Sequence, residues 1–91
     1  MSTISATRTV VVTNPVGLHA RPSAAIAQIV RRSKSQVQFQ RGRDTVDAAN
    51  ILELMMLGAV QGTELTLTAS GPDAETVLDA IADELAKHYD S

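Results

Sequence analysis

A chain of 91 residues can build one two-layer domain but not a cofactor domain beside a substrate domain. Its residues are 44% hydrophobic and 20% charged with no cysteine, and no apolar run approaches the roughly 18 residues of a membrane span, which argues against disulfide frameworks, thiolate zinc sites and membrane insertion. The net charge of -2 is unevenly laid out: residues 1–43 hold seven basic and no acidic residues, while the remainder sets Lys87 against ten acids, a split of +7 against -9.

The first strand is expected over 8–13, where RTVVVT is short and β-branched and Asn14-Pro15 ends it. After the loop at Pro15 and Gly17 the period changes. Pro22, Ala25, Ile26, Ile29 and Val30 fall at i, i+3, i+4, i+7 and i+8, the stripe of an amphipathic helix over 20–33. Pro22 suits a first turn because the N–H it lacks would have no intrahelical partner there, and this puts His19 at or beside the N-cap. QVQFQ at 36–40 alternates with Val37 and Phe39 on one face, and a turn at 41–44 leads into a second hairpin strand over 45–48. Asn50 followed by Glu53 is a near relative of the capping box and opens a short helix through Leu57, apolar all round and stopped by Gly58. TELTLTAS at 63–70 places Leu65, Leu67 and Ala69 on one strand face. Pro72, Asp73 and Glu75 then open a last helix whose buried stripe is Val77, Leu78, Ile81 and Leu85, with fraying expected at 90–91. The order β-α-β-β-α-β-α, with strands that alternate, predicts an α+β fold: an antiparallel sheet covered by helices on one face.

The stretch GLHARPS at 17–23 carries the chemistry. The first N–H groups of a helix have no backbone acceptor, and with the helix dipole they form an anion site, so a phosphoryl group on His19 would meet them. Imidazole is a competent nucleophile, Arg21 supplies a planar donor set suited to phosphate oxygens, and Gly17 permits close backbone approach. A histidine beside an arginine at a helix start is also a common surface arrangement. His88, the other histidine, falls in the last helical turn, where a cation meets a helix C-terminus; no metal site is expected.

GLHARPS, together with NILELMMLGAVQGTEL and SGPDAE, resembles the HPr family, histidine-containing phosphocarriers of the bacterial phosphoenolpyruvate-dependent phosphotransferase system. The resemblance covers nearly the whole chain. It implies a single domain over 1–91 with an ordered core of about 7–88, and an open-faced sandwich with a four-stranded antiparallel sheet in the order 1-4-2-3 and three helices on one face. It further implies that His19 takes the phosphoryl group on Nδ1, that Arg21 stabilises it, and that Ala20, Arg21 and Pro22 form the phosphoryl-stabilising helix start. Enzyme I would be the donor, drawing on phosphoenolpyruvate, and an enzyme IIA domain the acceptor in sugar uptake. The protein would be a cytoplasmic monomeric relay with no cofactor and no small-molecule turnover of its own. The N-terminal MSTISATR, without the apolar stretch of a secretory signal, fits that location.

Within the middle helix the resemblance assigns Ile51, Leu52 and Met55 to exposed docking positions, with Leu54 and Leu57 facing the core. A short helix cannot bury apolar residues all round in a two-layer domain, and adaptable Met side chains suit a surface that meets several partners. The basic half could steer acidic partners toward that surface, unless strands and helices from both halves interleave and the charges mix. Asn50 stands where regulated members carry a phosphorylatable serine, so no regulatory serine is expected there. Val16 cannot offer the side-chain hydrogen bond found at its position in some members. Two further readings stand beside sugar uptake: the nitrogen-related regulatory branch of the same system, and an HPr-like interaction module without chemistry. Nucleic-acid binding is disfavoured by one Phe, one Tyr and an acidic net charge.

Overall fold

The structure is a computed structural model, and it describes residues 4–87. The elements run β1 (Ser5–Val11), α1 (Ala20–Arg32), β2 (Gln36–Arg41), β3 (Asp44–Asp47), α2 (Ile51–Met56), β4 (Glu64–Ser70) and α3 (Ala74–Ala86). The strands form one antiparallel sheet in the order β1-β4-β2-β3. The three helices cover one face, as the alternation within the strands requires. The cation read at residue 88 and the frayed end at 90–91 lie outside the described residues.

Leu65, Leu67 and Ala69 of the central strand β4 are fully buried, as are Val37 and Phe39 beside them in β2. Ile26, Ala27 and Val30 of α1 and Val77, Leu78 and Ile81 of α3 close over them to make one continuous core. The opposite face of β4 and its neighbours is mostly polar: Thr7 lies beside Thr68 and Thr9 beside Thr66, with Gln38 and Gln40 on the other side and Glu64 and Asp47 at its margins.

Most boundaries fall within a residue of the sequence pattern, but β1 runs Ser5–Val11 where the pattern predicts 8–13. β1 starts at Ser5, ahead of its apolar run, because all seven residues of β4 find partners along it, from Ser5 opposite Ser70 to Val11 opposite Glu64. For an edge strand the partner's length sets the extent more than its own composition does. The start of α3 also differs. Asp73 is the N-cap, but its carboxylate does not cap its own helix; it accepts from the Lys34 backbone N–H at 3.0 Å and from the Ser35 hydroxyl. The β4–α3 turn lies hard against the α1–β2 turn: a Cβ on Gly71 would come within 2.6 Å of the Lys34 carbonyl oxygen. These bonds hold the Asp73 carboxyl below its ordinary value, the Ser35 hydroxyl contributing most and the Lys34 N–H next.

The charged halves do interleave in part. Arg8 on β1 bonds Asp79 at 2.6 Å and Glu75 at 3.2 Å on α3, joining the basic and acidic segments. Elsewhere arginines serve backbone carbonyls: Arg31 Nε donates to Ala49 O at 2.9 Å. Among the described residues no helix is long and apolar enough to cross a membrane.

Candidate functional site around the start of helix α1

The segment ahead of α1 is held by its own turn and by a neighbouring loop. Asn14 is buried; its Oδ1 accepts the Val16 N–H at 3.1 Å and its carbonyl accepts the Gly17 N–H at 2.9 Å, a local turn of the kind Asn favours. Gly17 then adopts φ +76°, and a Cβ there would sit 2.6 Å from the Ala59 carbonyl oxygen. Only glycine meets both demands. The next residue, Leu18, is buried and donates its N–H to that same Ala59 oxygen at 2.9 Å. The loop after α2 is therefore the seat of the segment that carries His19.

His19 is the N-cap of α1, with extended backbone and no side-chain capping bond, and no acidic residue occupies the first turn. The first helical bond runs from the Ser23 N–H to the His19 carbonyl at 3.0 Å. Pro22 has no N–H, so the amides that open the helix are those of Ala20 and Arg21, aimed outward with the positive end of the dipole. The ring of His19 is half-buried with Nε2 shut from solvent, while Ala20 and Arg21 are exposed. Pro22 and Ser23 are buried and fix the helix start to the core.

The apolar surface gathers beside this point. Seven large hydrophobic residues are exposed among those described, and five of them, Val16, Leu52, Met55, Met56 and Val60, lie on α2 or on the two loops that meet at Gly17. α2 is six residues long, too short to persist alone, and is anchored through Leu54, fully buried, and Leu57. Burial of one such leucine is worth about 1.5–3 kcal/mol.

The middle-helix expectation is corrected at one residue. Ile51 is not an exposed position: it is half-buried against the core, because i, i+3, i+6 spacing puts it on the face of Leu54 and Leu57. Leu52 and Met55 are exposed, and Met56, at 82%, is the most exposed large apolar side chain of the described residues. Val60, at 62%, joins them. The sequence carried no signal for Val60, since its exposure follows from the fold-back of its loop onto Gly17. At the other end of α2, Asn50 Oδ1 accepts the Glu53 N–H at 3.1 Å. Glu53 does not reach back to the Asn50 N–H as a capping box would; its carboxylate accepts from Asp47 N at 3.1 Å, tying the helix to β3.

A family model described as the PTS HPr component phosphorylation site matches residues 6–87. The chain belongs to the HPr family. It is thus a member of a phosphocarrier family, and its sheet order and covering helices are those of HPr. A phosphocarrier protein HPr of Cupriavidus necator is 38% identical over 82 residues, 90% of this chain and 92% of the relative. The HPr crystal structure from Bacillus anthracis str. Ames superposes with a TM-score of 0.83 at 32% identity, covering 88% of this chain and 95% of that one. A phosphocarrier protein NPr of Shewanella violacea is 35% identical over 74 residues, 81% of each chain.

Proposed function

We propose that this HPr-family chain is a cytoplasmic, monomeric phosphocarrier that receives a phosphoryl group on His19 from enzyme I, charged by phosphoenolpyruvate, and hands it to an enzyme IIA domain in sugar uptake. The observation that carries the reading is the start of α1: a nucleophilic ring at the N-cap, the helix-start amides of Ala20 and Arg21, and no acidic side chain in the first turn. The acceptor is taken to be Nδ1, the nitrogen the HPr resemblance implies, a choice supported by Nε2 being shut from solvent. Its lone pair forms the new P–N bond as the bond from phosphorus to the donor breaks, and the bonding pair returns to the donor. The helix-start amides and the Arg21 guanidinium then meet the phosphoryl oxygens. Leu52, Met55, Met56, Val60 and Val16 supply the docking surface, with Ile51 as its half-buried base.

Incubation with enzyme I and phosphoenolpyruvate, followed by intact mass and acid treatment, tests this. An acid-labile gain of one phosphate is expected in wild type and none in His19→Ala, with both variants folded. The reading fails if a demonstrably active cognate enzyme I leaves wild type unmodified, or if His19→Ala is charged equally.

A second reading, the nitrogen-related regulatory branch, is favoured by Asn50. The α2 cap offers an amide where a phosphorylatable hydroxyl would be needed for serine-based control. The charged protein should then discharge to a soluble enzyme IIA in preference to one coupled to a sugar permease.

A further inference from the structure

The C-terminus of α2 has no basic residue of its own in its last turn, yet its carbonyls are not left to water. Arg41, the last residue of β2, reaches across and donates from Nη1 to the Leu57 carbonyl at 3.0 Å and to the Gly58 carbonyl at 3.2 Å. The contact is close: a Cβ on Gly58 would lie 3.1 Å from Nη1. A cation on the last carbonyls of a helix satisfies groups that lack intrahelical donors and opposes the negative end of the dipole.

The next carbonyl along the chain belongs to Ala59, which accepts the Leu18 N–H at 2.9 Å. Gly17 packs against that same oxygen and against the Val60 Cα with no room for a side chain. A single run of backbone, residues 57–60, is therefore gripped on one side by the β2–β3 hairpin and on the other carries the residues immediately ahead of His19. Val60 on this run and Met56 just before it are exposed apolar residues.

We infer that Arg41 is a positioning residue for phosphoryl transfer: by fixing the 57–60 run it sets the α2 surface in register with the His19 segment, so that one partner engages both at once. The inference rests on the proposed carrier function but has a readout independent of it. Proper mutual placement is needed before any transfer begins, so loss of Arg41 acts on formation of the productive complex rather than on the nucleophile.

The experiment compares wild type, Arg41→Gln and Arg41→Lys in two measurements: amide hydrogen exchange at Leu18, read by NMR, and steady-state phosphorylation by enzyme I. Arg41→Gln should speed Leu18 exchange and raise KM for this protein about two- to fivefold with kcat nearly unchanged, the size expected from a helix-terminus charge. Arg41→Lys, which keeps the charge but replaces the planar fork, should recover part of both. Leu18 exchange at the wild-type rate overturns the positioning route, even if KM rises. An unchanged KM with faster exchange overturns the link to transfer. If wild type accepts no phosphate, the carrier function itself fails, and the exchange measurement still decides whether Arg41 holds the His19 segment.

Discussion

The starts of α1 and α2 pose the same electrostatic problem and solve it in opposite ways. At α2 the chain fills its own helix start: Asn50 caps, Glu53 lies in the first turn, and the Glu53 carboxylate is itself occupied by Asp47 N–H. At α1 the N-cap is a ring that accepts no capping bond, the first turn holds no acid, and one amide is removed by proline. A helix start closed by its own acceptors has nothing to offer an external anion. One with no acid in its first turn keeps the positive end of its dipole for a phosphoryl group. The α3 start is a third case, where the N-cap carboxylate serves a neighbouring turn in place of its own helix.

The sharpest way to break the comparison is to make α1 resemble α2. Ala20→Asp puts a carboxylate at an exposed first-turn position. Its favourable term with the dipole should raise helix stability by about 0.5 kcal/mol. The same charge should slow phosphate acceptance about tenfold or more by repelling the incoming phosphoryl group. Stability and transfer moving in opposite directions is the signature to look for, by thermal melting and by the rate of mass gain. If the transfer rate is unchanged, the helix start has no part in receiving the phosphoryl group.

A smaller effect is expected at the closed end. Asn50→Ala should cost about 1 kcal/mol in denaturant unfolding through loss of the cap, while Asn50→Ser should restore most of it. Equal stability of all three would show that Glu53 and Leu54 alone hold the start of α2.

The smallest effect concerns α3 and appears only in acid. The Asp73 carboxyl titrates below its ordinary value of 3.8 in the folded protein, so the ionised form favours folding. That contribution is present above pH 3.8 and is lost as pH falls through the lower folded value. Asp73→Asn should therefore flatten the stability decline below about pH 4 and shift neutral-pH stability more than acid stability. A decline of unchanged steepness in the variant would assign acid sensitivity to other carboxyls.

Most of the architecture was legible in the sequence because each element carries its own period. Val37 and Phe39 alternate, Leu65, Leu67 and Ala69 alternate, and Ile26 and Val30 repeat at helical spacing; all are buried as those periods require. β1 was less legible, since its start depends on pairing with β4 and not on its own residues. In the candidate site the GLHARPS stretch announced both the histidine and the helix start. The neighbouring apolar surface was only half readable: periodicity could not distinguish Ile51, drawn inward by Leu54 and Leu57, from Met56, turned outward, in a helix apolar on every side. Arg41 was invisible as a contributor, because a charge at a hairpin turn looks solvated until the hairpin is placed against α2.

The sequence by itself determined the element order, the inward faces of strands and helices, and the placement of His19 at the start of α1, because these depend on residues close together in the chain. Tertiary structure decided which acceptor each distant donor would meet. Arg41 with Leu57 and Gly58, Leu18 with Ala59, and Ser35 with Asp73 are pairings across turns that only the packed fold brings within hydrogen-bond reach. A hydrogen bond is short-ranged and directional, so its partner is fixed by geometry in space, while hydrophobic period is fixed by geometry along the chain.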